Sequence, residues 1–256
     1  MLILLVRVAL AIWVYMTAFF LVASLARRND LADVAWGLGF VVVAVTAVLA
    51  APGLTARQGA VLLATIIWAA RLALHIWSRN RKQAEDFRYR KWREDWGDQY
   101  LIKAYLNVFM LQGLFMLINS LPITVVNYAD SGGWGITNWI GVLVWAGGLV
   151  FEAVGDHQLT VFRNDAANRG KIITTGLWRY TRHPNYFGEA LLWWGIWLMT
   201  VGSAFWPLGA IGPAFITLML TRVSGIPLLE KRSATKPGWA EYAARTSVFI
   251  PWFPKQ

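Results

Sequence analysis

The sequence has 256 residues, of which 57% are hydrophobic and 15% are charged, and its formal net charge is +10. It contains no cysteine, which excludes disulfides, thiolate catalysis and cysteine-ligated metal centres. The length would suffice for two soluble domains, but the composition favours an integral membrane protein. The sixteen tryptophans fit the aromatic belts found at membrane interfaces.

Seven apolar stretches, each near the roughly 20 residues that cross a bilayer, predict an all-α bundle of seven transmembrane helices. We expect one membrane-embedded domain over residues 1–256. The first stretch carries Arg7 and Tyr15 and has no small-residue cleavage site, so we expect a retained helix rather than a signal peptide. The predicted spans are Leu2–Leu25, Leu31–Ala50, Gln58–Ser78, Leu101–Tyr128, Trp139–Asp156, Tyr186–Gly202 and Pro207–Val223.

The cations between these spans predict the topology. Four segments hold 21 of the 24 lysines and arginines, and seven spans place all four on one side of the membrane. The loops of the opposite side hold only Arg57, whereas six or eight spans would scatter this asymmetry. Because cytoplasmic loops are enriched in Lys and Arg, we expect the N-terminus outside and the C-terminus in the cytoplasm. The four segments are Arg27–Arg28, Arg79–Lys103, Arg163–Arg182 and Arg222–Lys255.

The segment Arg79–Tyr100 mixes both charge signs with aromatic residues. Such a pattern is typical of a solvated cytoplasmic helix or of a surface arm that lies on anionic lipid. The alternative is that its first residues, Asn80 and Arg81, contact a ligand.

Polar residues near the span ends converge on the predicted cytoplasmic side. Ionisable groups within membrane spans are costly, so they are functional candidates by default. Spacings of four residues place several of them on one helix face. The sequence therefore predicts a polar cavity that is open to the cytoplasm and closed toward the outside. The converging residues are Asp33, Arg71, His75, Arg79, Glu152, Asp156, His157, His183, Asn185 and Glu189.

Several of these residues also have plainer structural interpretations. His75 could cap its helix end, and His157 could be an ordinary loop residue. Arg71 could form a neutralising ion pair with Asp33 or Glu189, and Asp33 could cap the second helix. Glu189 is the hardest to explain structurally, because a carboxylate in an apolar helix needs a partner.

The stretch from Lys171 to Glu189 reads KIITTGLWRYTRHPNYFGE. Its cations precede Pro184, and proline is well placed as the first residue of a helix. A helix N-terminus carries partial positive charge and free N–H groups, so it binds anions. This stretch predicts a bound ligand with phosphates and polar groups. The cationic side chains ahead of the helix are Lys171, Arg179, Arg182 and His183.

Several common sites are not expected. The three histidines have no HxxxH or HExxH spacing, so the sequence does not indicate a metal site. There is no GxGxxG after a strand and no GxSxG, which excludes a Rossmann site and a hydrolase elbow. Any nucleotide must therefore be held by helices and loops.

The segment GDHQLTVFRNDAANRGKIITTGLWRYTRHPNYFGE resembles the steroid 5-alpha-reductase family, specifically its bacterial relatives of the DUF1295 type. DLADVAWGLGF, RNRKQAEDFRYRKWREDWG and LLEKRSATKPGWAEYAARTSVFIPWFPK are similar to those relatives too, so the resemblance covers nearly the whole chain. It is most specific from Asp156 to Glu189. The resemblance implies a monomeric reductase in the bacterial inner membrane, with NADPH bound on the cytoplasmic side. Its reaction would reduce a carbon–carbon double bond conjugated to a ketone, as in 3-oxo-Δ4 steroids.

The resemblance also implies the residues of the site. Asp33 aligns with an acidic residue near the substrate ketone, and Trp193 aligns with an aromatic residue of the steroid pocket. Asp33 and Glu189 are the expected catalytic residues, and Trp36 joins Asp33 and Trp193 as an expected substrate contact. The expected cofactor-binding residues are Asn80, Arg81, Asp156, Arg163, Lys171, Arg179, His183, Asn185, Tyr186, Glu189 and Arg222.

Two departures from the family pattern concern the substrate more than the cofactor. The steroid enzymes pair the acid with a tyrosine of the third helix, which holds and polarises the ketone, but the third span here has no tyrosine. Three alternatives therefore remain for the hydrogen-bond donor to the ketone oxygen: a protonated Asp33, another tyrosine such as Tyr15, or a water. The family's Arg and His after the seventh helix are replaced by an apolar residue and Glu230, for which Arg222 could compensate.

Two other functions are alternatives to reduction. RHPNYFG also resembles membrane methyltransferases of the isoprenylcysteine and phospholipid type, which use S-adenosylmethionine. The longer cationic segment, and Glu189 directly after a glycine, favour reduction. A carrier or channel would spread polar residues through the bilayer, whereas these cluster at one end. The predicted partners are the lipid membrane and an apolar steroid or isoprenoid-like substrate entering from it, with no nucleic acid.

Overall fold

The computed structural model describes residues 1–81, 87–130 and 132–255, with Phe87 and Arg88 as backbone only. The described chain divides into two compact units. Unit 1 comprises Met1–Gly135 and Met199–Gly212, and unit 2 comprises Ile136–Leu198 and Pro213–Gln256. The part of the predicted arm from Lys82 to Asp86 lies outside the described residues.

All regular elements of the described residues are helical, which confirms the predicted all-α class. Two π-helical segments, Tyr105–Met110 and Met219–Val223, interrupt longer helices. The α-helices are α1 (Leu2–Ala26), α2 (Leu31–Ala50), α3 (Ala56–Asn80), α4 (Phe87–Trp96), α5 (Tyr100–Ala104), α6 (Leu111–Asn119), α7 (Leu121–Tyr128), α8 (Ile136–Asn164), α9 (Pro184–Met199), α10 (Trp206–Gly209), α11 (Ile211–Leu218), α12 (Ile226–Ser233) and α13 (Trp239–Arg245).

Six helical stretches within the described residues are long and apolar enough to cross a membrane. The chain is therefore a multi-pass membrane protein. The predicted span Tyr186–Gly202 corresponds to α9, which has 16 residues and is shorter than the roughly 20 residues that cross a bilayer unaided. The six stretches are Leu2–Ala26, Leu31–Ala50, Ala56–Asn80, Tyr89–Asn119, Ile136–Asn164 and Trp206–Ser233.

Helix α1 shows how the long helices of unit 1 are built. Its buried side chains Leu4, Val8, Ile12 and Met16 recur every four residues, so they form one stripe along the helix. The remaining surface exposes large apolar side chains such as Leu10. In unit 1, α2 packs against both α1 and α3. Apolar stripes inside and apolar faces outside are what a lipid-surrounded bundle requires.

A buried ion pair joins the start of α3 to the segment after α7 in unit 1. The side chain of Arg57 is 8% exposed and that of Asp130 is fully buried, and the two form a salt bridge. Arg57 also donates to the carbonyl of Gly132 at 3.1 Å, and the Thr55 hydroxyl donates to Asp130. The lone cation of the predicted outer loops is thus neutralised within unit 1.

In unit 2, α8 and α9 pack through glycines spaced seven residues apart. A Cβ atom placed on Gly148 would lie 2.5 Å from the backbone N of Leu192, and one on Gly188 would collide with the backbone N of Glu152. A Cβ atom placed on Gly195 would likewise collide with the backbone N of Trp145. Residue numbers rise along α8 as they fall along α9, so the two helices are antiparallel. Small residues allow membrane helices to approach this closely.

Candidate functional site

Asp33 lies in the first turn of α2, where the sequence places it. The hydroxyl of Tyr89, on α4, donates to Oδ1 of Asp33 at 3.0 Å. Tyr89 is 3% exposed, and Asp33 is half-buried. Tyr89 was not among the residues predicted from the sequence. Tyr15, which the sequence suggests as an alternative donor to the ketone, donates its hydroxyl to the carbonyl of Ala35 at 3.0 Å.

Helix α4 is fixed to the rest of unit 1 by a second contact. Arg93 donates to the carbonyl of Arg27 at 3.2 Å, and its guanidinium lies 4.5 Å from the ring centre of Tyr100. Arg27 is the left-handed residue that ends α1, with φ 53°. Tyr89 therefore approaches Asp33 from a helix that is held against the end of α1.

The remaining predicted site residues of unit 1 have local partners. The side-chain oxygen of Asn80 accepts from Arg79 Nε at 3.0 Å, and its backbone carbonyl accepts from Arg28 at 2.9 Å. The guanidinium of Arg81 lies 4.6 Å from the ring centre of Trp77. Trp36 packs edge-on against Phe40, with 5.0 Å between ring centres.

In unit 2, Asp156 and Asn185 are brought together. The amide of Asn185 donates to Oδ1 of Asp156 at 3.1 Å, and Asp156 is 8% exposed. The contact is possible because Gly155 has no side chain: a Cβ placed there would lie 3.1 Å from the backbone N of Asn185. Glu189 lies one turn further along α9 and is half-buried. Two predicted cofactor residues thus meet across the α8–α9 pair.

The RHP sequence before α9 is held by Glu230 of α12. His183 Nε2 lies 2.8 Å from Oε1 of Glu230, and Arg182 donates to Oε2 at 3.1 Å. The Tyr186 ring stacks on His183, with 5.9 Å between ring centres. Burial lowers the pKa of His183 and is the largest effect. The charge of Arg182 also lowers this pKa, whereas the hydrogen bond to Glu230 and the charge of Glu230 raise it. Glu230 therefore serves as counterion to the residues that precede α9.

The other nitrogen of His183 is buried. His183 is 3% exposed, and its Nδ1 has no hydrogen-bond partner among the described residues. When Nε2 carries the proton and donates to Glu230, Nδ1 is an acceptor. A buried, unsatisfied polar atom is costly unless something binds it. A ligand that presents an N–H or O–H group would satisfy this one.

The predicted phosphate-binding cations of unit 2 have additional cationic neighbours. Arg163 lies in the last turn of α8, beyond the predicted helix end at Asp156. Partial burial lowers the pKa of Lys236, and the charges of Arg163 and Arg232 lower it further. Like charges within interaction distance repel each other, and an anion between them removes that repulsion. Arg232 and Lys236 were not among the residues predicted from the sequence.

A cleft of about 500 Å³ opens in unit 2, and Arg179, a predicted cofactor-binding cation, lines it. Tyr242, one of the lining residues, donates its hydroxyl to the carbonyl of Trp178. The indole N–H of Trp178 in turn donates to the carbonyl of Gly155 at 3.2 Å. A cavity of this size suits part of a nucleotide. Its lining residues are Ile172, Thr174, Arg179, Gly238, Glu241, Tyr242, Arg245, Thr246 and Pro254.

The remaining predicted residues of unit 2 differ in exposure. Trp193 is fully buried in α9. The side chains of the loop and π-helical cations are exposed. These exposed residues are Lys171, Arg179 and Arg222.

Comparison with known proteins gives one family. The model of the DUF1295 family, described as a protein of unknown function, matches residues 19–246. An uncharacterized protein of Schizosaccharomyces pombe is 25% identical over 211 residues, which cover 72% of this chain. The chain spans about 60% of the length of that relative. No solved structure matches the chain.

Proposed function

The chain belongs to the DUF1295 family, and from this membership we propose that it is an NADPH-dependent membrane reductase of the steroid 5-alpha-reductase type. It would reduce a carbon–carbon double bond conjugated to a ketone in an apolar substrate. The observation that carries the proposal is the 3.1 Å contact between Asp156 and Asn185. It supports a ligand site where the resemblance implies cofactor contacts.

The residues of unit 2 fit a phosphorylated dinucleotide. Asn185, Asp156 and Glu189 offer donors and acceptors on one stretch of the α8–α9 pair, which suits a carboxamide group. The buried Nδ1 of His183 offers a further acceptor. Arg163 supplies charge-assisted hydrogen bonds to phosphates. The other proposed phosphate-binding cations are Lys171, Arg179, Arg222, Arg232 and Lys236.

NADPH, when bound, supplies the hydride that adds to the β-carbon of the enone, and protonation of the α-carbon completes the reduction. The protein must stabilise the negative charge that develops on the ketone oxygen. Tyr89, whose hydroxyl lies 3.0 Å from Asp33, is the donor we assign to that oxygen. Because a phenol has one hydrogen to donate, this role requires a protonated Asp33 that donates to the Tyr89 oxygen while Tyr89 donates to the ketone. Preorganised donors of this kind stabilise developing oxyanions. Trp36 is a proposed apolar contact of the substrate.

The proposed topology has seven spans, with α9 as the sixth. Its 16 residues extend about 24 Å at 1.5 Å per residue, and the glycine contacts align it along α8. Seven crossings place the N-terminus outside and the cation-rich segments in the cytoplasm. The cofactor residues of unit 2 lie in and around these segments, so we propose that NADPH binds from the cytoplasm of a bacterial inner-membrane protein that acts as a monomer.

One observation favours a second candidate, an S-adenosylmethionine-dependent membrane methyltransferase. The cleft of unit 2 is lined by both signs of charge, with Arg179 and Arg245 opposite in sign to Glu241. A mixed lining suits the zwitterionic amino-acid end of S-adenosylmethionine as well as it suits a phosphate. The binding experiment must therefore include this cofactor.

The proposal is tested by binding of the purified, detergent-solubilised protein to NADPH, NADH and S-adenosylmethionine in parallel, by calorimetry or thermophoresis. We expect NADPH to bind most tightly, and Asn185→Leu to weaken it while the thermal unfolding transition persists. Asn168→Leu is the matched control, because the Asn168 amide also donates to a carboxylate, that of Asp165 in the loop after α8, at 3.2 Å. Preference for S-adenosylmethionine, or equal NADPH affinity in the two variants, would reject the reductase assignment.

A further inference from the structure

The last described stretch of unit 2, residues 247–255, is irregular, bends at residues 248–250 and is tied to the loop before α9; we name it the tail segment. Its Ser247 carbonyl accepts from the Arg182 N–H at 2.9 Å, and its Trp252 N–H donates to the Tyr180 carbonyl at 2.9 Å. The Thr181 hydroxyl donates to the Phe249 carbonyl at 2.8 Å. These bonds fix the backbone of the tail segment, so the direction of its side chains is determined.

Apolar side chains alternate along the tail segment. Val248, Ile250 and Trp252 are 44%, 64% and 70% exposed, and they occupy every second position. Their high exposure shows that all three side chains project from the surface of unit 2. Phe249, between the first two, instead packs its ring against Phe187, with 5.7 Å between ring centres. The tail segment therefore presents one apolar face outward, and Phe253, 76% exposed, extends it.

The tail segment lies at the level where α9 begins. Gly155 contacts Pro184 and Asn185, so the start of α9 lies beside the last part of α8. The tail segment pairs with residues 180–182, which immediately precede that start. Helix α8 is one of the membrane-crossing helices, and its sequence becomes polar from Asp156 onward. The start of α9 therefore marks the boundary between acyl chains and headgroups.

Cations accompany the apolar face. Lys255 ends the tail segment, and its N–H donates to the carbonyl of Arg245 at 2.9 Å, so a second cation lies next to it. Residues 226–255 contain five lysines and arginines but only two acidic residues, Glu230 and Glu241. Trp and Phe beside Lys and Arg are the composition of segments that lie in the membrane interface.

We propose that the tail segment is a membrane-interface anchor that binds anionic lipid. Val248, Ile250 and Trp252 enter the boundary of the acyl chains, while Arg245 and Lys255 meet the headgroups. The backbone bonds to residues 180–182 transmit this anchoring to the loop that carries Arg182 and His183. The proposal concerns the lipid contact alone and does not depend on the reaction catalysed.

A second copy of the chain is the competing occupant of the apolar face. Two such faces brought together would also bring together their flanking cations, which repel each other. Lysine is depleted in protein interfaces, whereas anionic lipid is attracted by the same charges. The charge distribution therefore favours lipid.

The absence of native cysteine allows a direct test with single labels. Trp252→Cys and Ile250→Cys carry an environment-sensitive fluorophore on the apolar face, and Glu241→Cys carries it on the exposed, polar side of α13. Each full-length variant is placed in nanodiscs of phosphatidylcholine alone or mixed with phosphatidylglycerol. Quenching is then measured with acrylamide in water and with nitroxide lipids labelled near the headgroup.

Labels at positions 250 and 252 are expected to be quenched by nitroxide lipid and shielded from acrylamide, more strongly with phosphatidylglycerol present. The label at position 241 is expected to show the opposite preference. Acrylamide access at positions 250 and 252 equal to that at 241 would overturn the proposal. Shielding from both quenchers would overturn it too, because a second protein copy would then cover the face.

Discussion

Tyr89 donates its hydroxyl hydrogen to Asp33, 56 positions earlier in the chain, with 3.0 Å between the two oxygens. The third span offers no tyrosine for this purpose, so α4 supplies the phenol from outside the apolar helices. A phenol has one hydrogen to donate, so Tyr89 donates to a ketone oxygen on which charge develops only when a protonated Asp33 donates to the phenol in turn.

Replacing this phenol tests its assigned role. Tyr89→Phe keeps the ring and removes the donor, so we expect kcat on a 3-oxo-Δ4 steroid to fall by about 10²- to 10³-fold. The affinity for NADPH should not change, because Tyr89 is not among the proposed cofactor contacts. Steady-state kinetics and equilibrium binding measure the two quantities. Tyr128→Phe, at a residue that is 42% exposed, is the control; a kcat equal in both variants would remove Tyr89 from the reaction.

Two changes test the cofactor site. Lys171→Ala removes an exposed cation and Glu189→Ala removes a half-buried carboxylate. We expect each change to weaken NADPH binding at least about tenfold, which corresponds to about 1.4 kcal/mol. Lys231→Ala, which removes an exposed cation from α12, should leave the affinity unchanged. If all three variants bind NADPH like the unchanged protein, the cofactor site lies elsewhere.

The packing of α8 and α9 predicts different effects for two neighbouring glycines. Gly148→Ala would place a methyl group 2.5 Å from the backbone of Leu192, so we expect the free energy of unfolding to fall by about 1–3 kcal/mol. A methyl group at Gly147 meets no atom of the described chain within 4 Å. Gly147→Ala should therefore be neutral, or stabilising by up to about 1 kcal/mol through helix propensity.

Thermal unfolding in detergent compares these two alanine variants. Equal transition temperatures would show that the helices can separate enough to accommodate a side chain. That result would contradict the close backbone contact.

Burial of His183 predicts how stability depends on pH. Because its pKa is lowered in the folded protein, the unfolded chain binds more protons between that lowered pKa and the ordinary value of about 6.5. Stability from this group is therefore fully present above pH of about 6.5 and is lost as pH falls through the folded pKa. Glu230 opposes the shift and Arg182 increases it, but burial is the largest cause.

The variant that tests this dependence is His183→Gln, which retains hydrogen bonding but does not titrate. Between pH of about 7.5 and about 5, the melting temperature of the unchanged protein should fall further than that of the variant. His75 and His157 are present in both proteins and contribute equally. Parallel pH profiles of the two proteins would assign the acid sensitivity to another group.

The buried pair of Arg57 and Asp130 should show strong coupling. Removing one partner leaves an uncompensated charge in unit 1, and we expect Arg57→Met or Asp130→Leu alone to cost about 3–5 kcal/mol. The double variant should be much less destabilised than the sum of the single variants. Chemical unfolding of all four proteins gives the coupling energy, and additive effects would mean that the pair contributes no interaction of its own.

The long apolar helices could be predicted from the sequence because the thickness of the bilayer fixes the length of a helix that crosses it. The predicted span Leu31–Ala50 matches α2, and those for α1 and α3 end within two residues of the observed helices. The end of α8 was misplaced at Asp156, because the following polar residues resemble a loop by hydropathy although they continue the helix to Asn164.

The residues that complete the candidate site were harder to predict. Tyr89 reaches Asp33 through tertiary packing, and no local spacing rule joins residues so far apart. Glu230 was noticed as a substitution, but its contacts with Arg182 and His183 depend on how α12 folds back. The seven-residue spacing of Gly141, Gly148 and Gly155 was visible and could have indicated the close helix pair.

The glycine contacts also fix the position of α9 along the axis of α8. Gly148 contacts the backbone of Leu192, and Gly195 contacts the backbone of Trp145. If one helix moved along the other, side-chain-bearing residues would replace these glycines at the contacts and would clash with the opposing backbone. A slip of a single turn would carry Asn185 about 5.4 Å along the axis, well out of reach of Asp156. Adaptation to new ligands must therefore proceed through the flanking loops and not through translation of this pair.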